Sequence, residues 1–480
     1  VGASAVGGGA GSGAGSAPAP GSAVAAGAAS AWGWAEGSAG AGSACASRAS
    51  RIGIGSVAST AAYNASMSRK RATNLVSSSG ISAQARDSSG RVVLCRGKAR
   101  PLWFGHPWVY ANAVDRLDGE AAAGDIVSLV DHDGHFIGRG IFNPRSQIPV
   151  RLLTRKDEAI DAAFFIARLR DAQTLRTRLK LPNPDTTAYR LVNSEGDGLP
   201  GLVVDVFGDA AAVQVTTLGL ALRREAIFDA VEATLSPRTI YEVAAGRYAD
   251  LEGFVAQNRV VRGEARNLVP CLEDGLHFEA EPLVGQKTGM FLDQRPNRIR
   301  AGQLAGSGKG LRMLDCYAYA GGFGLQAARA GASEVTAVDS SPRAVARIEA
   351  HAAANGATVR AVEADAFRFL ETATPMSYDL VVVDPPKFAR ARKDLEAATK
   401  GYERLNALAL TACASGALLV TCSCSQNVSA QDFERIVAAA GKQAHREVRI
   451  VETGGPGGDH PLPPAFSEGQ YLKVLFVYVG

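Results

Sequence analysis

Tyr378-Asp379-Leu380-Val381-Val382-Val383-Asp384-Pro385-Pro386-Lys387 is the stretch from which the fold can be read. Its unbroken apolar run predicts a strand buried on both faces, as in a parallel sheet covered by helices. A buried strand has no use for a terminal carboxylate followed by two prolines. A site at the carboxyl edge of an open α/β sheet does, because ligands collect there. The prolines lock φ and cannot extend the ladder, so they form a stiff lip beside Asp384. Downstream, Ala417-Leu418-Leu419-Val420 runs into Thr421-Cys422-Ser423-Cys424-Ser425. One strand end offers a carboxylate and the other a thiol, and together they form the expected reactive centre.

Around this pair, strand and helix alternate from about residue 283, which predicts a doubly wound α/β sheet. Residues 311–316 form its first strand, with Asp315 near the end. Tyr317-Ala318-Tyr319-Ala320-Gly321-Gly322 then turns into a helix, and the two glycines let the backbone approach a ligand. Asp339 ends the next strand, 18 residues after Gly321, a distance suited to ribose hydroxyls. Asp365, followed by Ala366, ends the third and is placed to meet an adenine amino group. The spacing is not G-x-G-x-x-G. A glycine turn without a pyrophosphate cradle favours a nucleoside cofactor without phosphates, and S-adenosylmethionine is the expected one. The competing explanation is that Asp315, Asp339 and Asp365 merely cap the helices that follow.

The chain has 480 residues, which predicts two or three domains. No apolar run is long enough to span a membrane, so no membrane partner is expected. The net charge of +4 comes from residues 1–90, with six Lys/Arg against two Asp/Glu; the remainder balances at 45 and 45. Any nucleic-acid surface must therefore be local. Seven scattered cysteines suggest no disulfide framework and a reducing compartment. Residues 1–88 are built from Gly, Ala and Ser and predict a disordered leader. Their Ser-rich, Arg-bearing, acid-poor composition is that of a transit peptide, hence a plastid or mitochondrion, with the cytoplasm as the alternative. A low-complexity extension would look similar.

Residues 91–155 read as a small β-barrel, with Asp133-Gly134 as a hairpin turn. Between Arg91 and Ala113 there is no carboxylate. Arg91, Arg96, Lys98 and Arg100 cluster there with Trp103, Phe104, Trp108 and Tyr110. The cations are expected to contact RNA and the rings to fill the barrel core. Residues 156–282 predict an α+β unit. Its helix over residues 159–179 should carry Arg168, Arg170, Arg176 and Arg178 on the polar side. Glu195 and Asp197 in the glycine-rich loop that follows are read as a turn rather than a metal site.

Gly97-Lys98, His106-Pro107-Trp108-Val109-Tyr110 and Gly124-Asp125 resemble the PUA-like module of certain bacterial ribosomal-RNA methyltransferases. Further stretches resemble the same family: Gln286-Lys287-Thr288-Gly289-Met290-Phe291-Leu292-Asp293-Gln294-Arg295, the turn from Asp315 to Gly322, and Asp384-Pro385-Pro386-Lys387-Phe388. Ser423-Cys424-Ser425 and Asp459-His460-Pro461 complete the set. The family is the PUA-containing 23S ribosomal-RNA cytosine 5-methyltransferases, and the resemblance runs in order over about residues 91–480. Residues 241–254 depart from its pattern. The resemblance implies an RNA-binding PUA-like domain over 91–155, a middle domain over 156–282 and a Rossmann-like methyltransferase domain over 283–480. It implies ribosomal RNA as partner and a homodimer as a possible assembly. Gln286, Lys287, Thr288, Asp293 and Arg295 would lie beside S-adenosylmethionine, along with Asp315, Tyr317, Tyr319, Gly321, Gly322, Asp339, Asp365 and Ala366.

That chemistry requires a thiolate to add to carbon 6 of cytosine, because carbon 5 is too weak a nucleophile unaided. The residues leave Cys422 and Cys424 both open, since the strand is ending there; the resemblance selects Cys424. Asp384 would orient the amino edge of the base, and Lys387 would contact a phosphate or the developing charge. No cysteine stands in Asp384-Pro385-Pro386-Lys387, so release of the product would use another base or water. No metal is expected, for Cys422 and Cys424 have no accompanying histidine or second pair. The rivals are a base-nitrogen methyltransferase, a non-catalytic ribosome-assembly factor and a nicotinamide-dependent oxidoreductase.

Overall fold

The computed structural model describes residues 87–306, 310–388 and 394–480. The leader expected over residues 1–88 lies almost wholly outside the described residues. The first sheet comprises β1 (Asp87–Leu94), β2 (Trp108–Val109), β3 (Val114–Asp118), β4 (Ile126–Val130), β5 (Phe136–Phe142) and β6 (Val150–Thr154). Their spatial order is β2-β6-β5-β4-β1-β3, a curled half-barrel with β2 and β3 at its edges. Asp133-Gly134 turns β4 into β5, and Gly134 takes the positive φ of 90° that such a turn demands.

The rings do not fill this half-barrel. Its core is Val92, Leu94, Leu102, Val109, Val127, Leu129, Ile137 and Phe142 with their neighbours, while Trp103, Phe104 and Tyr110 are 50%, 71% and 39% exposed. The aromatic cluster lies on the short helix Arg100–Trp103 and the segment after it, not on inward strand positions. In β2 it is Val109 that points inward, so Trp108 beside it faces out.

The second sheet holds β7 (Ala188–Asn193), β8 (Leu202–Phe207), β9 (Ala210–Val215), β10 (Thr239–Val243) and β11 (Arg259–Arg262), in the order β11-β10-β9-β8-β7. Helices Ala162–Arg178 and Arg224–Leu235 pack on it through Phe164, Phe165, Leu169, Ile227 and Phe228. One expectation fails here: Arg176 is not on a solvated face but fully buried. Its guanidinium donates to Asp197 Oδ2, the Asp459 carbonyl and the Arg190 carbonyl, each at 2.8 Å. Glu195 accepts from the Trp108 indole at 2.8 Å, so both acids of the glycine-rich loop are spent within the fold. Removing one partner of a buried ion pair strands the other charge. Arg176→Ala is therefore expected to cost about 3–5 kcal/mol, read as a lowered urea midpoint.

A hairpin, β12 (Val269–Glu273) and β13 (Leu276–Ala280), leads to the third sheet. That sheet contains β14 (Arg312–Cys316), β15 (Glu334–Asp339), β16 (Arg360–Glu363), β17 (Tyr378–Val383), β18 (Cys413–Ser423), β19 (Val448–Gly454) and β20 (Lys473–Val479). Its order is β16-β15-β14-β17-β18-β20-β19, and β20 runs antiparallel to both neighbours. Succession runs outward in opposite directions from β14 and β17, so the switch point, where such sheets bind ligands, falls between Asp315 and Asp384. Alternation along β17 is clean: Val381 and Val383 enter one core, Leu380 and Val382 the other. Phe207 and Tyr241 of the second sheet share a core with Leu325 and Ala352, on helices Gly322–Arg329 and Pro342–Ala354 beside the third, which joins the two units. No helix among the described residues is long and apolar enough to cross a membrane. Cys271, Cys316, Cys413, Cys422 and Cys424 are free thiols.

Candidate active site

β17 and β18 pair in parallel, with Val383 opposite Thr421, so the segments leaving them lie side by side. Asp384 is the first residue after one strand and Cys424 the first after the other. Cys424 is half-buried, and its Sγ lies 3.9 Å from the Pro385 carbonyl oxygen. Its neighbours Ser423 and Ser425 are buried, and both hydroxyls meet the Tyr402 hydroxyl, at 3.2 and 3.1 Å. With both serines turned to Tyr402, the side chain between them is directed the other way, to the lip. Cys422 is fully buried among Leu380, Val420 and Val474. The two thiols thus differ in access.

Gln294 donates to Asp384 Oδ2 at 2.9 Å and is itself held by Asn297 at 2.7 Å. Burial, reinforced by the nearby Asp293 charge and opposed by the Gln294 bond, pushes the Asp384 carboxyl up to about 6. Asp293 accepts from Lys287 at 2.8 Å and from the Tyr471 hydroxyl at 2.6 Å. Burial works against its charge, yet the Lys287 ammonium and these bonds hold it well below the usual carboxylate range. Burial and the Asp384 charge push the Cys424 thiol up, while Lys387 and Lys287 oppose them. Lys387 is exposed beside this lip.

At the switch point, Asp315 is buried at the end of β14. Its Oδ2 accepts from the Gly324 amide at 3.1 Å, whereas its Oδ1 is buried without a partner among the described residues. Burial pushes this carboxyl up to about 7. Tyr317, Tyr319 and Gly321 take φ of 63°, 51° and 78°, forming the tight turn into helix Gly322–Arg329. A Cβ on Gly322 would stand 2.4 Å from Arg298 Cδ, so the packing of Arg298 also demands glycine there. Asp339 accepts from the Tyr319 and Ser341 amides, both at 3.0 Å. Asp365 is exposed and caps helix Ala366–Thr372 through the Arg368 amide at 3.1 Å; Ala366 is buried beneath it.

Gln286 and Lys287 are exposed on a loop pinned by the Tyr319 hydroxyl, which donates to the Gly289 carbonyl at 3.1 Å. Thr288 and Arg295 are instead engaged by other parts of the fold. The Thr288 hydroxyl donates to Asp205, and Arg295 binds the Ala188 carbonyl and Asp459, each at 3.0 Å. Arg91, Arg96, Lys98 and Arg100 are all exposed on the half-barrel, with the Arg100 guanidinium 5.6 Å above the Phe104 ring. Tyr110 donates to Glu468 at 2.6 Å, and Gln426 donates to the Glu468 carbonyl at 3.1 Å. Glu468 therefore links the half-barrel to the turn that follows Cys424. Sequence reasoning missed Gln294 as the partner of Asp384, and Tyr402, Tyr471 and Lys473 altogether. No spacing within the chain marks these four; sheet register places Lys473, and the packing of other elements brings in the rest.

The residues fit a cofactor that carries an ammonium group and a ribose but no phosphate: an orphaned buried carboxylate oxygen at the first strand end, and strand-end acids in order after it. Residues 92–155 match the family model of a PUA-like domain, and residues 233–452 that of an S-adenosylmethionine-dependent methyltransferase. Ribosomal RNA large subunit methyltransferase I of Photobacterium profundum is 36% identical over 396 residues, covering 81% of this chain and 99% of its own. The protein of that name from Shewanella denitrificans is 37% identical over 397 residues, with the same coverage. A proposed SAM-dependent methyltransferase from Streptococcus mutans has a similar structure, with a TM-score of 0.69 at 22% identity, over 81% of this chain and 99% of its own. A proposed methyltransferase complexed with SAH matches to the same extent. At that identity the two structures speak for the fold alone. The sequence identity to the two named relatives spans nearly their whole length, and this chain accordingly belongs to the ribosomal RNA large subunit methyltransferase I family of S-adenosylmethionine-dependent methyltransferases.

Proposed function

We propose that this enzyme methylates carbon 5 of a cytosine in large-subunit ribosomal RNA through a covalent adduct with Cys424. The observation that carries the reading is a half-buried thiol just past one strand end, beside the Asp384 lip at the end of the next strand. The names of the relatives support the substrate class.

The Cys424 thiolate adds to carbon 6 of the ring, and carbon 5 becomes enamine-like and nucleophilic. S-adenosylmethionine, when bound, supplies the electrophilic methyl group. Loss of the carbon 5 proton to a base or water and departure of the Cys424 sulfur restore the aromatic ring. The Asp384 carboxylate accepts from the exocyclic amine and holds the base edge while charge develops, with Gln294 keeping the carboxylate in place. Lys387 contacts a phosphate or that charge. A base inside a duplex would first have to be flipped out, so a single-stranded or looped segment is the favoured target. Arg91, Arg96, Lys98 and Arg100 track its backbone.

Asp315, through its unpartnered Oδ1, would hold the cofactor's ammonium, Asp339 its ribose and Asp365 its adenine amine, with Gln286 and Lys287 beside them. Asp315→Asn is expected to weaken binding of S-adenosylhomocysteine by at least about tenfold, because a charge-assisted hydrogen bond is lost; calorimetry measures it. The composition of residues 1–88 supports delivery to a plastid or mitochondrion, which fractionation tests. A homodimer is the assembly to test by sedimentation. Bisulfite sequencing of organellar and cytosolic ribosomal RNA, with and without the gene, tests the activity: one protected cytosine should become convertible when the gene is lost.

A further inference from the structure

Lys473 has no part in the chemistry described so far. It stands on β20 opposite Ser423 of β18, the residue before Cys424. Its Nζ donates to the carbonyl of Ser425, the residue after Cys424, at 2.6 Å, and to the Tyr471 carbonyl at 2.8 Å. The amine is therefore fixed against the backbone just after the thiol, on a strand that pairs with the residue just before it, and two of its hydrogens are spoken for. The third position carries either a proton or a lone pair. Among the described residues, Lys473 makes no ion pair with a carboxylate, in contrast to Lys287 and Lys400.

We propose that Lys473 is the base partner of Cys424: its neutral amine takes the thiol proton, and the ammonium so formed stands beside the thiolate. The inference rests on the reading of Cys424 as nucleophile. The S–H bond breaks, the new N–H bond completes the ammonium, and the sulfur keeps the electron pair that attacks carbon 6. No net charge is created, which suits a half-buried site. A fixed surface cation such as Lys387 can stabilise a thiolate but has no free site for its proton. Burial brings the Lys473 amine down to about 8, against the pull of the Cys424 charge and with a smaller push from Lys387, so a neutral fraction exists at physiological pH. The charged groups that act on Cys424 from the surrounding elements are Asp384, Lys387, Lys287 and Asp293. The two carboxylates disfavour the thiolate and the two lysines favour it, and none of the four stands on β20. The pair titrates as a unit.

The test is the pH dependence of Cys424 alkylation by iodoacetamide on the whole protein, read by peptide mass spectrometry. Cys271, Cys316, Cys413 and Cys422 are buried and serve as internal controls. Lys473→Met is expected to slow alkylation at pH 7.5 about tenfold, corresponding to a midpoint raised by about one unit. Lys473→Arg restores the charge and should recover the midpoint, yet it stays protonated at all working pH and should lower kcat without raising KM. Lys473→Gln, whose amide retains a donor for the Ser425 carbonyl, replaces the Met variant should that one not fold. A Met or Gln variant that folds and alkylates along the unaltered pH curve would overturn the proposal. Alkylation needs no methyl transfer, so this result is separable from failure of the nucleophile reading, which Cys424→Ala tests.

Discussion

Replacing Cys424 by alanine is expected to reduce methyl transfer by at least about 10⁴-fold, because removing a covalent nucleophile removes the route itself. Stability should change little: the side chain is half-buried, and its hydrogen bond among the described residues is the 3.9 Å approach to the Pro385 carbonyl. Affinity for S-adenosylhomocysteine should also hold, since the cofactor residues lie around Asp315. Cys422→Ala is the matched control. Cys422 is fully buried in the core with Leu380, Val420 and Val474 and beside the Gln294 side chain, so its truncation opens a small cavity and costs stability while the thiol at the lip stays. A base-nitrogen methyltransferase would give the opposite pattern and retain its rate in Cys424→Ala. Measuring transfer of a labelled methyl group to ribosomal RNA separates the two.

The second large effect is expected at Asp384. Asn in its place keeps the shape and one acceptor but loses the charge that holds the exocyclic amine, at an expected cost of about 10²–10³ in kcat. The pH profile carries the more specific signature. The carboxyl is raised to about 6, and the carboxylate is the working form, so activity should fall as pH drops through about 6. The variant should lose that acid limb. Stability runs the other way. Because the folded value lies above the ordinary 3.8, the folded state binds more protons in that window, and stability declines as pH rises from 3.8 to about 6. Asp384→Asn has no charge to bury and should be at least as stable as the parent at pH 7. Lost activity with undiminished stability marks a residue kept for chemistry.

The catalytic sheet was legible because its signals are local. A run such as Leu380-Val381-Val382-Val383 can only be buried, and an acid followed by Pro-Pro at its end has a mechanical consequence. Cys422 and Cys424 could not be separated from the sequence, because alternation loses its force where a strand stops. In the structure β18 ends at Ser423, and Tyr402 engages the serines on both sides of Cys424. Arg176 was misplaced for a different reason. Helical spacing put it in line with Arg168, Arg170 and Arg178, but its partners Asp197 and Asp459 come from distant segments. The aromatic residues of the half-barrel show the same limit. Hydrophobic character alone does not reveal which side of a two-residue strand such as β2 faces inward. Gln294 stood within a stretch that resembles the family, yet its bond to Asp384 exists only through the folding of residues 90 positions apart.

The most direct test of the central claim uses ribosomal RNA transcribed with 5-fluorocytidine. Fluorine at carbon 5 does not leave as a proton does, so the sulfur bound at carbon 6 should stay there. The expected result is a protein–RNA species that survives denaturing electrophoresis, requires S-adenosylmethionine and yields a modified peptide containing Cys424. Efficient methylation of ordinary RNA with no such species, or a crosslink carried by Cys422, would contradict the account.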